Sequence, residues 1–563
     1  MKQQTKGAEV RSTPVQQMPR VGALASWASL GSFFYYLSRG DLLMHGDATA
    51  HINIARRVID SLYPGPLQLG TVWLPLPHLL MLPFVWIDKL WQSGIAGAIP
   101  SMVAYVFGVV GVFRLVCGIL EVNEGAPSGI AVGGTPPSTA TAGGLFAAFV
   151  YGANPNLLYM QTTALTETLF LAFFIWAMVF FSDFLHSLGN EDVGAELERR
   201  SLRKCAWCLA AAELTRYDGW FLAGAIGFFV LVVALARGRN RIRRRKVALF
   251  LVAIGIAPLL WLAYNFAVYS NALEFANGPY SARAIEARVG APNPSAGNLW
   301  SAASYFLKSA QINLAVGNWG RFWLLVALAA TAILAWKLTR QSAVMVLLWL
   351  PVVFYALSVA YGSVPLHVPM WWPFAIFNQR FGLELLPLFA VSAGVVLAGL
   401  LTSFLSAHLW KVVSVAAALV VASYTSVWIA KPVCWQEARN NWQMRRGLDT
   451  AVGLALREFP PQSVFLMDID EHVGILERDA IPLRRVVNNE DHRQWVRPKD
   501  PQGAWEQALA DPSQHVNYVI AFEGDLVDKG VNRQGITLLQ VIHSTGQPAA
   551  RIYQTSRGTN QSR

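Results

Sequence analysis

The chain has 563 residues, of which 54% are hydrophobic and only 14% charged. Soluble domains carry about 25% charged residues, so a string of soluble domains is excluded and a polytopic membrane protein is expected. The net charge of +11 is a topology feature, not a nucleic-acid surface, because seven basic residues crowd into 237–246, between two apolar runs.

In chain order, the basic tail 1–20 (Lys2, Lys6, Arg11, Arg20) is expected to be cytoplasmic and to lead into an uncleaved signal-anchor helix at 21–38. A crossing needs about 20 apolar residues. Further spans are expected near 99–120, 143–162, 167–186, 205–217, 219–236, 247–269, 321–338, 343–361, 381–403 and 411–430. The count is about 11 transmembrane helices, the fifth short for a full crossing. The apolar stretch 74–87 contains three prolines and His78. Proline breaks helices, so this stretch is expected to be re-entrant or interfacial.

Charge asymmetry gives the orientation. Segments 187–204, 237–246 and 337–340 are basic, whereas the loops 39–98, 270–320 and 362–380 are long and poor in Lys and Arg. The positive-inside rule then places the N-terminus inside and the C-terminus outside. Counting 74–87 as a crossing would put the seven-residue basic block outside. The Gly/Pro/Ser/Thr-rich stretch 121–142 reads as a flexible cytoplasmic loop. Beyond 430 the texture changes. Strand-like runs at 464–467, 516–522 and 538–542, with a helix at 504–510, predict an extracytoplasmic α/β domain over 431–563. Cys117, Cys205, Cys208 and Cys434 make no disulfide framework, and the Cys205/Cys208 pair lacks a neighbouring His.

The first outside loop (39–98) holds the first chemical candidates. Residues 47–60 have helical periodicity, with Asp47 and His51 one turn apart on a helix lying along the membrane surface. Glu167 stands at the outside mouth of the fourth span, where an ionisable group is costly unless paired or solvated. Two carboxylates on one face suit general-base work or metal binding. Arg216 and Arg380 meet the same face, and a guanidinium fork suits phosphate oxygens. Asp218 and Glu384 stand ready to pair with these arginines. In the C-terminal domain, the acidic cluster 468–472 follows a strand-like run, where solvated loop acids are the ordinary explanation.

The order of these features resembles the GT-C superfamily of membrane glycosyltransferases, such as the protein O-mannosyltransferases and the lipid A aminoarabinose transferases. The matching segments are Gly46-Asp47-Ala48, Thr166-Glu167, Thr215-Arg-Tyr-Asp-Gly219 and Arg380-Phe-Gly-Leu-Glu-Leu-Leu-Pro387, within residues 21–430. The resemblance implies a polyprenyl-phosphate sugar donor, a lipid, glycan or protein acceptor and an inverting transfer on the extracytoplasmic side of a bacterial plasma membrane. It assigns catalysis to Asp47 and Glu167, and lipid-phosphate or substrate contact to Arg216, Arg380 and His51. Where many relatives have Asp-Glu, this chain has Asp47-Ala48. A divalent cation (Mg or Mn) would draw on Asp47, Glu167 and His51. The aromatic segment 370–374 is a candidate surface for stacking on sugars. A transporter or flippase for a lipid-linked substrate is the competing class; it places charges near the bilayer midplane, whereas here they gather at one face.

Overall fold

The computed structural model describes residues 14–120, 137–188, 191–236, 241–290, 292–337, 339–404, 409–470, 472–491 and 501–561. The tail 1–13, the stretch 121–136 and residues 237–240 of the basic block lie outside the described residues.

Apolar runs of the expected length form helices. Among the described residues, seven are long and apolar enough to cross a membrane: Ile95–Leu120, Glu167–Ser187, Asp218–Ala236, Arg244–Tyr269, Ser342–Tyr361, Gln379–Thr402 and the run Lys411–Arg457. Four more helices, α1 (Pro14–Arg39), Pro137–Gly152, Glu191–Glu213 and Gly320–Trp336, occupy the other expected positions, each shorter or more polar. The chain is a polytopic membrane protein with a C-terminal α/β domain. Helices Glu167–Ser187 and Gln379–Thr402 bury 78% of their apolar windows and form the middle of the bundle, whereas Arg244–Tyr269 buries 28% and lines its rim.

Several boundaries differ from the expectations for local reasons. The short fifth span is the apolar second half of a 23-residue helix, Glu191–Glu213, whose first half is charged. The span at 143–162 breaks after Gly152, where Asn154 caps a new turn, accepting from Leu157 N–H at 3.0 Å, with Pro155 at its first position. The end of the loop-like stretch, 137–142, is helical.

The proline-rich stretch 74–87 forms α3 (Leu76–Val85), which follows α2 (Gly46–Arg57). Ten residues of helix rise about 15 Å, half of the hydrocarbon thickness. Both its ends are tied to one side of the bundle. Leu76 N–H donates to Leu214 O at 3.0 Å, and Arg56 on α2 donates to Val85 O at 2.6 Å. The helix is short for a crossing, as the prolines lead one to expect.

The C-terminal domain has strands β1 (Phe465–Met467), β2 (Val486–Val487), β3 (Tyr518–Phe522), β4 (Ile536–Ile542) and β5 (Ala550–Thr555), in the order β2-β1-β3-β5-β4. The first three in that order are parallel; β5 and β4 are antiparallel additions. The helix Val433–Arg457 joins this domain to the bundle. Trp435 Nε1 donates to Asp41 at 2.8 Å, and Cys434 N–H donates to Asn156 at 2.9 Å.

Close packing also fixes the approach to Glu167. A Cβ on Gly97 would meet Ala164 Cβ and lie 2.8 Å from Ala164 Cα, which is backbone and cannot swing aside. Gly97→Ala is therefore expected to cost about 1–3 kcal/mol and to displace the turn before Glu167. Thermal unfolding in detergent checks this, with Gly22→Ala, whose Cβ would make only a 3.6 Å contact, as the neutral control.

Candidate active site

The residues singled out in the sequence meet at one end of the bundle. Asp47 opens α2, and the ring of His45 before it accepts the Asp47 backbone N–H at 3.1 Å. Glu167 opens its long helix, Arg216 lies in the turn between Glu191–Glu213 and Asp218–Ala236, and Arg380 lies in the short 3-10 turn Gln379–Leu385.

Arg380 is the hub of the open side. It donates from Nη2 to Asp47 Oδ2 at 2.5 Å, from Nε to Glu167 Oε1 at 2.8 Å and from Nη1 to Glu437 Oε1 at 3.4 Å, and Nη1 lies 2.7 Å from His45 Nε2. Arg216 is the hub of the closed side. It donates to Asp218 at 3.1 Å, Thr166 at 3.1 Å, Glu167 at 3.1 Å and Tyr355 at 2.8 Å, and it forms an ion pair with Glu384 at 3.3 Å. Glu167 Oε1 thus accepts from both guanidiniums, which both lie over the ring of Phe381, at 5.0 and 5.4 Å. Asp218 and Glu384 pair with Arg216 alone, so neither balances Arg380.

Exposure separates the roles. The Asp47 side chain is 36% exposed, whereas those of Arg380, Glu167, Glu437, Asp218 and Glu384 are all under 10%. Asp47 is the carboxylate that an incoming group meets first. Burial pushes its carboxyl upward, but the Arg380 guanidinium and the rings of His45 and His51 outweigh this and hold it at about 2. It is ionised throughout the ordinary range.

His51 lies beside this network and is tied to α3. Its Nδ1 lies 2.9 Å from His78 Nε2 on α3, and its ring packs against Trp73 at 4.7 Å. Burial lowers His51 to about 4 and His78 well below its usual value, so both rings are neutral and one donates to the other. Asp47 and Glu167 are bridged by Arg380, while His51 meets His78. Arg380 stands between the two carboxylates, and among the described residues no group of three His, Cys, Asp or Glu side chains could hold a metal ion. Even so, five carboxylates (Asp47, Glu167, Asp218, Glu384, Glu437) face two guanidiniums. Glu167 Oε2 and Glu384 Oε2 are buried without a partner among the described residues.

Glu437, Tyr355 and His45 belong to the network beside the expected residues. Besides Arg380, Glu437 accepts the backbone N–H groups of Asn378 at 2.5 Å and Gln379 at 2.9 Å, which fixes the turn carrying Arg380. The aromatic segment 370–374 is held through Tyr305, which donates to Trp372 O at 2.6 Å and packs edge-on against Trp371; Trp372 and Phe374 are exposed. The acidic cluster at 468–472 is hydrogen-bonded within the C-terminal domain at its described positions. Asp470 accepts from Asn489 at 2.6 Å, and His472 pairs with Asp449 at 2.8 Å while stacking on Phe522.

The C-terminal domain grips α2. Asn53 donates to Glu477 at 2.6 Å, Arg484 donates to Asp60 at 3.0 Å and Arg57 pairs with Glu490 at 3.6 Å. Burial raises the Glu477 carboxyl to about 8, despite the Asn53 bond and the nearby Arg478 and Arg445. A folded-state value above the unfolded one means that the unfolded chain loses its proton first, so stability falls as pH rises from about 4.5 to about 8. Glu477→Gln is expected to flatten this part of the stability–pH curve, measured as unfolding temperature across the same range.

No family model and no curated protein sequence matches the chain. Among solved structures, it is similar to the apo oligosaccharyltransferase of Archaeoglobus fulgidus, with a TM-score of 0.49 and 11% identity over 90% of this chain and 69% of that one. A second is ArnT from Cupriavidus metallidurans bound to undecaprenyl phosphate, with a TM-score of 0.48 and 12% identity over 94% of this chain and 97% of that one. A third is the Archaeoglobus fulgidus oligosaccharyltransferase AglB with an inhibitory peptide and a dolichol-phosphate, with a TM-score of 0.49 and 12% identity over 90% and 69%.

Proposed function

We propose that the chain is a membrane glycosyltransferase of the GT-C type, which moves a sugar from a polyprenyl-phosphate donor to an acceptor hydroxyl outside the cell. The observation that carries this reading is Asp47, an ionised and partly exposed carboxylate fixed by Arg380 at the open edge of a buried charge network. In the proposed step the acceptor oxygen attacks the anomeric carbon, and Asp47 takes the hydroxyl proton. The bond from anomeric carbon to phosphate oxygen breaks, its electron pair leaves with the polyprenyl phosphate, and the sugar inverts. Arg380, beside Asp47, stabilises the charge collecting on the leaving phosphate. Glu167 holds the two guanidiniums in register, and Arg216 anchors the network from behind. No step is routed through a metal ion.

The sidedness supports the extracytoplasmic placement. Lys246, in the basic block, lies 3.9 Å from Glu198, whereas the site adjoins Glu213. Residues 198–213 of one helix separate the two by about 22 Å, so basic block and site lie at opposite ends of the bundle. With the basic block inside, the site is outside and the N-terminus inside.

The test is made in sealed vesicles carrying the protein and a radiolabelled polyprenyl-phosphate hexose or pentose. Sugar transfer with equimolar release of polyprenyl phosphate is expected. A donor that changes leaflet with its sugar bond intact would identify a flippase.

A further inference from the structure

A cavity of about 450 Å³ opens beside the site, where α2, the segment after it and the C-terminal domain meet. This lies within the 300–1,000 Å³ range of small-molecule sites. Three aromatic side chains line it: Trp73, Tyr269 and Tyr280. Its charges come from both halves of the protein, with Arg57 from α2, Glu274 and Arg288 from the 270–290 segment, and Asp470 and Glu490 from the C-terminal domain.

The polar groups are held but not saturated. Arg57 is 7% exposed, and its Nε is buried without a partner among the described residues. The rest of its fork reaches Gln68 O at 3.3 Å and Glu490 at 3.6 Å, both long for a charged pair. Tyr280 and Asp470 are positioned through Asn489, at 3.2 and 2.6 Å. A buried guanidinium and lining carboxylates do not suit a hydrocarbon tail.

The cavity runs along α2 from Arg57 up to Ala50. Ala50 lines it and lies three residues after Asp47, on the same side of α2. Trp73 lines it and packs against His51, one turn beyond Asp47. A ligand filling the cavity could present a hydroxyl toward the Asp47 carboxylate.

We propose that this cavity is the acceptor subsite and that the acceptor is a carbohydrate. Sugar rings offer apolar C–H faces to aromatic side chains and hydroxyls that both donate to carboxylates and accept from a guanidinium. The inference rests on the glycosyl-transfer reading above, and it gives the C-terminal domain a part in binding the acceptor.

Saturation-transfer NMR on the full-length protein in lipid nanodiscs tests it, with methyl glycosides of glucose, galactose, mannose and N-acetylglucosamine and their disaccharides as probes. At least one is expected to bind wild type, to bind about tenfold more weakly to Trp73→Ala and Glu490→Gln, and to keep its affinity in Trp73→Phe, with unfolding temperatures confirming that each variant is folded. Binding of no saccharide to wild type would overturn the proposal. So would equal binding to wild type and Trp73→Ala, or transfer to a peptide or lipid acceptor that Trp73→Ala leaves unchanged. Release of polyprenyl phosphate from the donor with the saccharide probes present, measured on the same samples, separates the two claims. Cleavage without saccharide binding removes the acceptor assignment alone, whereas saccharide binding without cleavage removes the enzyme.

Discussion

Asp47→Asn is expected to lower the rate of sugar transfer by about 10²–10⁴-fold, the usual contribution of a positioned general base. Protein abundance and unfolding temperature should stay near wild type. Asparagine keeps an oxygen that can accept from Arg380, and the change removes one negative charge from a site in which five carboxylates face two guanidiniums. The acid side of the wild-type rate profile should not report Asp47, because its carboxylate stays ionised down to about 2. Initial rates with a polyprenyl-phosphate sugar, set against unfolding temperature, check both parts. Wild-type rates in the variant would remove Asp47 from the chemistry.

Arg216→Ala is expected to act on folding before it acts on catalysis. Four hydrogen bonds and an ion pair tie it to the protein, and its loss leaves Asp218 and Glu384 without their cation and Glu167 with Arg380 alone. Breaking a buried ion pair typically costs about 3–5 kcal/mol, because the remaining charge stays uncompensated. Arg216→Lys should recover only part of this, since an ammonium keeps the charge but not the planar fork that reaches Tyr355 and Asp218 together. Thermal unfolding of detergent-solubilised protein measures the loss. A variant that unfolds like wild type but binds the lipid donor weakly would put Arg216 on the donor phosphate instead.

The sequence carried the positions of the site better than its wiring. Asp47, Glu167, Arg216 and Arg380 are legible because each is a charge at the end of an apolar run, and one face of the membrane collects them. Which charge neutralises which depends on side-chain direction inside the bundle, and spacing does not report that. Glu437 shows the limit most clearly. It sits past residue 430, where falling hydrophobicity marks a soluble domain, in a helix that reads as ordinary and amphipathic. Only the packing of that helix against the turn at 378–380 brings its carboxylate to Arg380. The fold follows the same pattern. The proline count of 74–87 marks a stretch in which only the ten-residue helix Leu76–Val85 forms. Strand β2 has two residues and no periodicity, and β5 alternates (Ala550–Thr555) but is placed in mid-sheet only by its antiparallel pairing with both β3 and β4.

Direct displacement at the anomeric carbon, with Asp47 taking the acceptor proton, fixes the stereochemistry of the product. The deciding measurement is the anomeric configuration of the transferred sugar, read from its proton NMR coupling constant against that of the polyprenyl-phosphate donor. Inversion is the predicted result. Retention would require a covalent sugar–enzyme intermediate and a second displacement, and would contradict the role of Asp47 as the base of a single step.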